Sequence, residues 1–266
     1  AEGDKSTRWD ASHGIPIRGL LDRLVYGAAL GDGNLLVSPN ITGSTKLLMH
    51  RDVLDRASLL YPFLSFDSDP YIVALKGKLV WILDGYTSTD KVPYSEHLRR
   101  GDEDINYLRN PIKVSVDAYT GEVSAYAIDD QEPILRCWRS IFPGLIKEAK
   151  DIPEGLQAHF RYPEEQFMAQ ARMLTQYHVG DPTTFLTNGD AWDMPYNRGR
   201  SGQKEPLDAY NVQMKLPDEP KDGFMLILPF TPRQKDNMSG WLAGHCDQAN
   251  YGKLVLYRFT KGSLVP

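Results

Sequence analysis

The chain contains no hydrophobic run long enough to cross a membrane. Its longest apolar stretches are a few residues long, such as Phe224–Phe230, whereas a spanning helix needs about 20 apolar residues. Residues 1–8 also lack the apolar core that a signal peptide carries. We therefore expect no spanning segment in these 266 residues, and we interpret the polar start as a cut into a longer protein.

Basic clusters and cysteines are scarce as well. The longest run of basic residues is Arg99-Arg100, the net charge is −5 and the pI is near 5.7. Because binding to nucleic acid requires a basic face, we expect no nucleic-acid partner. Cys137 and Cys246 are the only cysteines. A disulfide between them stays open as an alternative, but two separately buried thiols are favoured.

The motifs of the common enzyme classes are incomplete or missing. Asn237-Met-Ser239-Gly-Trp241 lacks the first glycine of a nucleophile elbow, and no phosphate-binding or dinucleotide-binding glycine loop occurs. The six histidines form no metal-binding pair. Asp102–Lys113 fails as a calcium loop because Tyr107 and Lys113 stand where glycine and glutamate are required. The motifs therefore predict no catalytic residue, no metal site and no cofactor.

The composition is that of a folded protein with ample material for a core. Apolar residues make up 41% of the chain and aromatic residues 11%. Apolar periodicity and helix-ending residues predict five helices: Ile15–Leu30, Ser44–Tyr61, Pro133–Phe142, Pro163–Tyr177 and a short one near Met238–Gly244.

Alternating apolar residues and turn signals predict the strands. Two hairpins are expected: Tyr71–Leu75 with Leu79–Leu83, and Ile112–Val116 with Val123–Ile128. Further strands are expected at Ala209–Leu216, Phe224–Phe230 and Leu254–Phe259, after a polar loop at Asn197–Lys204. Because strands and helices occur in blocks, we predict an α+β fold of antiparallel sheets built from hairpins and packed with several helices. Residues 1–266 are interpreted as one domain, with two lobes divided near 143–153 as the alternative.

Two aspartates before a predicted strand are candidate binding residues. Asp67 and Asp69 alternate along the chain, so both carboxylates can point to one side and serve a cation or acid–base chemistry. The favoured alternative is a turn in which the aspartate caps its own backbone.

The remaining candidates lie near strand ends. Tyr86 and Asp117 belong to the similar segments 84–87 and 117–120, which are explained equally by a weak duplication and by common turn chemistry. Arg109 and Asn250-Tyr251 lie in two segments that place Asn-Tyr before a basic residue, and Arg233 ends a proline-rich stretch. Such side chains can form a rim for sugars or anionic lipids, or they can satisfy loop backbone groups, which is favoured.

Several segments, taken in order, resemble the uncharacterised protein family UPF0182. They include Gly31-Asp-Gly-Asn-Leu-Leu36, Asp67-Ser-Asp-Pro-Tyr71, Val116-Asp-Ala-Tyr-Thr-Gly121, Arg139-Ser-Ile-Phe-Pro-Gly144 and His159-Phe-Arg-Tyr-Pro163. The resemblance spans nearly the whole chain. It implies a bacterial integral membrane protein with several N-terminal spanning helices and a large soluble region on the extracytoplasmic side, of which this chain is a piece. It implies no established activity and no catalytic residue.

The leading hypothesis is therefore a non-catalytic extracytoplasmic domain of a cell-membrane protein. It binds an envelope component or a protein partner, and it is held at the membrane through spanning segments outside this chain. The alternative is an envelope enzyme, a metal-assisted hydrolase in which Asp67, Asp69, Asp84 and Asp117 converge. Whether the chain is an enzyme stays open, with the non-catalytic interpretation favoured. A small-molecule sensor domain is the third hypothesis.

Overall fold

The computed structural model describes residues 13–198, 204–217, 219–235, 237–247 and 249–259. Within these residues the α-helices are α1 Leu20–Leu30, α2 Asn34–Val37, α3 Val53–Leu60, α4 Pro133–Ile141, α5 Glu164–Tyr177 and α6 Pro182–Leu186. Short 3-10 helices occur at Ala149–Asp151 and Gln157–His159. None of the described helices combines the length and the apolar character that a bilayer crossing requires.

The strands of the described residues form two large sheets and three small ones, which confirms the predicted α+β class. In chain order the described strands are β1 Ile15–Pro16, β2 Lys46–Leu47, β3 Ser65–Phe66, β4 Tyr71–Leu75, β5 Lys78–Thr89, β6 Leu98–Arg100, β7 Glu103–Ile105, β8 Tyr107–Asp117, β9 Val123–Ala127, β10 Ile146–Lys147, β11 Trp192–Asp193, β12 Tyr196–Arg198, β13 Lys204–Pro206, β14 Tyr210–Lys215, β15 Asp222–Pro232, β16 Gly240–His245 and β17 Leu254–Arg258. The two-stranded sheets pair β1 with β2, β6 with β7, and β12 with β13.

Each large sheet contains one long strand, and two shorter strands pair with different halves of the same edge of that strand. Sheet I has the order β10-β9-β8-β5-β3, and β4 pairs with the other half of β5. Its pairs are antiparallel except for the parallel pair of β10 with β9. Sheet II has the antiparallel order β11-β15-β16-β17, and β14 also pairs with β15. The β4–β5 and β8–β9 hairpins confirm the two predicted hairpins.

Sheet I is covered on one face by α3 and α4. Ala57 of α3 and Leu135 of α4 are fully buried there, against inward residues of the sheet such as Leu83 and Val114. The other face of sheet I buries Tyr71, Ile82, Tyr126, Leu156 and Phe160. Partly buried Tyr251, from the connection between β16 and β17, also packs there, so this face adjoins sheet II.

Helix α5 connects the two sheets. Its Phe167 and Ala171 are fully buried against sheet II, and the helix also contacts β8 of sheet I. Proline precedes its first residue and two glutamates occupy its first turn, which suits the positive end of a helix. Gly244 of β16 permits the close approach, because an added Cβ would lie about 3.0 Å from the Tyr162 ring and 3.1 Å from the Phe167 ring.

The pairing of β5 with β8 contains a bulge. Gly85 of β5 pairs with Ile112 of β8. The next pair lies two residues further along β5 but three residues back along β8. The extra residue of β8 therefore lies in Asn110-Pro111, where proline has no backbone N–H to leave unpaired. The Asn110 amide fills the gap by donating to the carbonyls of Gly85 at 3.0 Å and Ile112 at 3.2 Å.

The first two predicted helices begin later than expected. The helix predicted over Ile15–Leu30 starts at Leu20, because residues 15–16 form β1. The helix predicted over Ser44–Tyr61 is wrong in its first half, where residues 46–47 form β2. The Asp52 side chain starts α3 by accepting from the amides of Leu54 at 2.9 Å and Asp55 at 3.0 Å. This cap sets the boundary that apolar periodicity alone did not reveal.

Two predictions in the last third also need correction. The short helix predicted near Met238–Gly244 is strand β16, whose side chains pack on both faces of sheet II. The central residues 199–203 of the predicted loop at Asn197–Lys204 lie outside the described residues, and its ends belong to β12 and β13. In contrast, the predicted helices at Pro133–Phe142 and Pro163–Tyr177 are confirmed to within one residue at each end.

Candidate functional site

Charged side chains converge where sheet I meets α5 and sheet II. They line a small cavity of about 20 Å³, which we call the junction cavity. Its polar lining comes from Asp67, Asp69, Asp84, Arg161, Glu164 and Asn211. A cavity of this size has room for about one water molecule. Four carboxylates and one guanidinium therefore line a space too small for an organic substrate.

Asp84 and Lys113 form a buried ion pair at the edge of the junction cavity. They are cross-strand neighbours on β5 and β8, and they are only 5% and 1% exposed. The Lys113 ammonium donates to Asp84 Oδ1 and, at 2.8 Å, to the carbonyl of Arg161. Burial raises the pKa of Asp84, and the charge and hydrogen bond of Lys113 oppose that rise. The pair thus holds a charge of each sign inside the protein.

Asp67 organises the other side of the junction cavity. Its carboxylate accepts from the Tyr86 hydroxyl at 2.7 Å, from the Asp69 amide at 3.2 Å and from the Glu165 amide at 3.4 Å. The bond from Asp69 confirms the turn interpretation of Asp67. Burial raises the pKa of Tyr86 far above its usual value, and the charges of Asp84 and Asp67 raise it further. Tyr86 therefore keeps its proton and remains a hydrogen-bond donor.

The first two residues of α5 are carboxylates that hold protons more tightly than usual. Burial raises the pKa of Glu164, and the charges of Asp67 and Asp69 add to the rise. Burial also raises the pKa of Glu165, although Arg100 opposes this through an ion pair of 2.5 Å. In the part of the chain that the structure describes, no group of three or more His, Cys, Asp or Glu residues is placed to hold a metal ion.

The structure brings four of the predicted binding residues to this region. Asp67 and Asp69 line the junction cavity, and Tyr86 is bonded to Asp67. Tyr251 donates its hydroxyl to the Arg161 carbonyl at 3.2 Å, beside Lys113. Residues far apart in sequence therefore form one polar network, and no local sequence pattern predicts that they meet.

The other predicted residues lie elsewhere. Asp117 caps the turn between β8 and β9 by accepting from the amides of residues 119 and 120, so it does not join the other aspartates. Asn250 lies in the turn between β16 and β17, where its backbone N–H donates to the Asp247 carbonyl at 2.9 Å. Arg109 lines a partly apolar cavity of about 340 Å³ between β8 and α5.

Arg233 lines another and much larger cavity, which lies beside sheet II. The cavity has a volume of about 940 Å³, and we call it the cationic cavity. Its basic lining residues are Arg233, Lys235 and Arg258, and its acidic one among the described residues is Asp190. Asp193 Oδ1 lies 3.8 Å from Arg233 Nε, and both of these side chains are about half exposed.

Trp192 forms an aromatic wall of the cationic cavity. The Arg258 guanidinium lies 5.6 Å from the centre of its ring, and the His178 ring stacks on it at 3.7 Å. His178 in turn donates from Nδ1 to the Leu174 carbonyl at 2.7 Å, at the end of α5. The wall is therefore fixed by stacking on the helix behind it.

The backbone around the cationic cavity is held in uncommon conformations. Asn188 and Gln234, which both line it, have φ values of 52° and 63°. Such left-handed values are uncommon for residues other than glycine and recur at binding sites. The Arg233 amide is also fixed, since it donates to the Ala191 carbonyl at 3.0 Å. The cavity is thus built from defined loops.

The two cysteines are free, which confirms the favoured interpretation of separate thiols. Cys137, however, is exposed on α4, so the expectation that both thiols are buried is wrong for this residue. Cys246 is buried, and its sulfur accepts from the Tyr162 amide at 3.2 Å. Burial raises the pKa of its thiol, so the sulfur stays protonated beside the junction cavity.

Sequence reasoning missed three residues that shape these sites. Lys113 interrupts an apolar run on β8, and a lysine between buried residues signals a buried partner. Arg161, between a 3-10 helix and α5, and Arg258, at the end of β17, gave no comparable signal, because arginines are common on surfaces. Their positions depend on contacts between segments that are distant in sequence.

Comparison with known proteins identifies relatives along the whole chain. The model of the uncharacterised protein family UPF0182 matches residues 1–266. A UPF0182 protein of Methanospirillum hungatei is 44% identical over 259 residues, which cover 96% of this chain and 29% of the relative. A UPF0182 protein of Pelotomaculum thermopropionicum is 42% identical over 257 residues, with 97% and 28% covered.

A UPF0182 protein of Caldicellulosiruptor saccharolyticus is 42% identical over 267 residues, which cover 29% of its length. The chain thus spans less than a third of the length of each of these three relatives. No solved structure matches the chain. The family resemblance predicted from the sequence is confirmed, and the chain belongs to the uncharacterised protein family UPF0182.

Proposed function

We propose that this chain is a non-catalytic binding domain of a membrane protein, placed on the extracytoplasmic side of the cell membrane. Its cationic cavity binds an anionic component of the cell envelope. The observation that carries this proposal is the concentration of Arg233, Lys235 and Arg258 around one cavity of about 940 Å³ in a chain whose net charge is −5.

The chemistry of the cationic cavity supports an anionic ligand. Guanidinium groups bind carboxylates and phosphates through paired hydrogen bonds, and a concave surface lined by one sign of charge concentrates ligands of the opposite sign. The volume falls within the range of small-molecule sites, which usually combine an apolar wall with a few converging polar groups. Trp192 supplies such a wall, and Asn237 and Ser239 supply neutral polar groups.

The junction cavity supports the non-catalytic part of the proposal. Its most buried carboxylates are engaged internally, Asp84 by Lys113 and Asp67 by Tyr86 and backbone amides. A general acid or base must come within hydrogen-bond distance of a substrate. A space of about 20 Å³ admits no substrate of organic size.

Binding to a small phosphate compound tests the proposal. We expect glycerol 3-phosphate to bind the protein, with an affinity that falls as salt concentration rises. Arg233→Gln or Arg258→Gln should weaken binding by about tenfold or more, since a hydrogen bond to a charged group contributes about 1.5–3 kcal/mol. Isothermal titration calorimetry measures both effects.

Lys150→Gln is the matched control, because Lys150 is an exposed cation beside sheet I and does not line the cationic cavity. It should bind as the unaltered protein does. Equal weakening by Lys150→Gln would show general charge attraction, and unchanged binding in the two arginine variants would refute the assignment of the cavity.

The exposed thiol of Cys137 allows a direct test of sidedness. If the domain faces outward, a membrane-impermeant maleimide should label Cys137 in intact cells that express the full-length protein, and Cys137→Ser should abolish the labelling. Buried Cys246 should not react in either case. Labelling that requires cell lysis would place the domain on the cytoplasmic side.

A metal-assisted hydrolase is the second candidate, because Asp67, Asp69 and Glu164 line one cavity, although the structure does not place these three carboxylates to hold one metal ion together. Asp117 has no part in it. Asp69 is exposed, so Asp69→Asn should leave stability unchanged. Under the hydrolase alternative the unaltered protein binds Mn²⁺ or Mg²⁺ and Asp69→Asn loses that binding, whereas under the leading proposal calorimetry detects no cation binding that depends on Asp69.

A further inference from the structure

The segment of residues 13–50 is almost uncovered by the rest of the protein. Only Ile17 and Gly27 are buried in it. Its elements pair with one another, β1 with β2 and α1 with α2. Such an arrangement leaves the apolar side chains of the segment without a core to enter.

Helix α1 presents its apolar face outward. Leu20, Leu21 and Val25 are 68%, 74% and 56% exposed, and Leu24 is also exposed. At 3.6 residues per turn these four side chains lie on one stripe of the helix. We call this stripe the apolar face of α1.

The opposite face of α1 carries its charged residues and is turned inward. Asp22 and Arg23 are only partly exposed, and the Arg23 guanidinium donates to the Ile41 carbonyl. A helix on the surface of a soluble protein normally shows the reverse orientation. The orientation of α1 is therefore that of a helix whose apolar side meets another body.

The apolar face is held in a defined position. Gly31 ends α1 with a φ of 65°, and its amide and the amide that follows bond back to the helix. Gly27 lets the turn after α1 approach the helix closely, because an added Cβ would lie 3.3 Å from the Asp32 carbonyl oxygen. The stripe thus belongs to a formed helical hairpin.

We propose that the apolar face of α1 packs against the part of the full-length UPF0182 protein that lies outside residues 1–266. The relatives are more than three times as long as the matched segment, so most of their chain is available as the partner. A partner in the same polypeptide has an effective concentration in the millimolar range. It therefore needs far less buried area than two separate molecules do.

Size and charge favour this occupant over two others. A helix of 11 residues is about 16 Å long, and one face of it is small for a stable dimer. A helix that lies on an anionic bilayer carries a lysine- and arginine-rich polar face. The polar face of α1 instead combines one acidic and one basic residue, Asp22 and Arg23.

Photo-crosslinking in the full-length protein identifies the occupant. Leu21→p-benzoylphenylalanine should form an intramolecular cross-link to a peptide outside the matched segment, detected by mass spectrometry in membranes. The control is Leu59→p-benzoylphenylalanine on α3, because Leu59 is 62% exposed and also apolar. It should give at least fivefold less of that product. Lipid adducts or cross-linked dimers at position 21 would overturn the proposal.

Hydroxyl-radical footprinting of the unaltered full-length protein gives a second measurement that needs no substitution. Leu21 and Leu59 have similar exposure in this structure, so they should react at similar rates if nothing covers α1. We expect Leu21 to react at least fivefold more slowly than Leu59. Equal rates would refute the covering of α1 whatever the cross-linking yields.

Discussion

Lys113→Met removes the ammonium that neutralises Asp84 inside sheet I. Methionine has nearly the same length as lysine but carries no ammonium, which in Lys113 lies 5.5 Å from the ring centres of Phe160 and Tyr251. The variant therefore isolates the charge. It leaves one carboxylate at 5% exposure without its cation, and the carbonyl of Arg161 keeps only the Tyr251 hydroxyl as a donor.

The expected loss of stability is large. Removing one partner of a buried ion pair destabilises a protein by about 3–5 kcal/mol, because the remaining charge is left uncompensated. For a chain of this size each kcal/mol corresponds to about 2–4 °C in Tm. The expected fall in Tm is therefore roughly 6–20 °C at pH 7.

The loss should shrink as the pH falls. Burial raises the folded-state pKa of Asp84 above its ordinary value of 3.8, and without Lys113 the rise is no longer opposed. Between the unfolded and the folded pKa the folded state holds a proton that the unfolded state has released. Stability then decreases with rising pH, by at most about 1.4 kcal/mol per pH unit. The variant should accordingly be closest to the unaltered protein near pH 4 and furthest from it near pH 7.

Urea unfolding followed by tryptophan fluorescence at several pH values measures the effect. The double variant Asp84→Leu with Lys113→Met should lie within about 1 kcal/mol of the unaltered protein, because it leaves no buried charge. Lys150→Met, at an exposed lysine, should change stability by less than about 0.5 kcal/mol. A loss below about 1 kcal/mol for Lys113→Met, or a double variant as unstable as the single one, would refute the reasoning.

Three other expectations concern the backbone and the thiols. Gly240→Ala should destabilise sheet II by about 1–3 kcal/mol in urea unfolding, because the new Cβ would lie 2.4 Å from a carbonyl oxygen of β17, whereas Gly43→Ala meets nothing within 4 Å. Asp52→Ala removes the cap of α3 and should cost about 1 kcal/mol, seen as a lower urea midpoint. A thiol reagent should find one fast thiol, Cys137, in the native protein, and a second, Cys246, only in denaturant.

Each of these expectations has a result that contradicts it. Equal stability of the two alanine variants would show that β16 and β17 can separate without cost. An unchanged midpoint for the cap variant would mean that α3 is held by packing alone. Two fast thiols in the native protein would mean that sheet II opens readily around its buried cysteine.

Local features of the fold were predictable because their signals are local. The hairpin of β4 and β5 follows from the Lys76-Gly77 turn between apolar runs, and α5 follows from proline and glutamates before an amphipathic stretch. The error at β16 has a physical cause. Residues 238–244 include Trp241, Leu242 and two glycines, a pattern that fits a short helix as well as a strand buried on both faces.

The sites were less predictable than the fold because they join distant segments. Asp67 and Asp69 were identified as candidates, but their connection to α5 depends on how the helix docks between two sheets. Asp84 and Lys113 meet because β5 and β8 pair, although these strands are not joined by a hairpin. The similar segments 84–87 and 117–120 differ in structure, since the first continues a strand and the second forms a turn.

The bulge at Asn110-Pro111 fixes how many residues β8 can contain. Side chains alternate between the two faces of a strand, so the loss of one residue there would turn the following positions over. Lys113 would then point towards α3 and α4, and Asp84 would remain on the opposite side without it. Insertions and deletions in this family should therefore spare β8, while the connections that end in exposed turns remain free to vary in length.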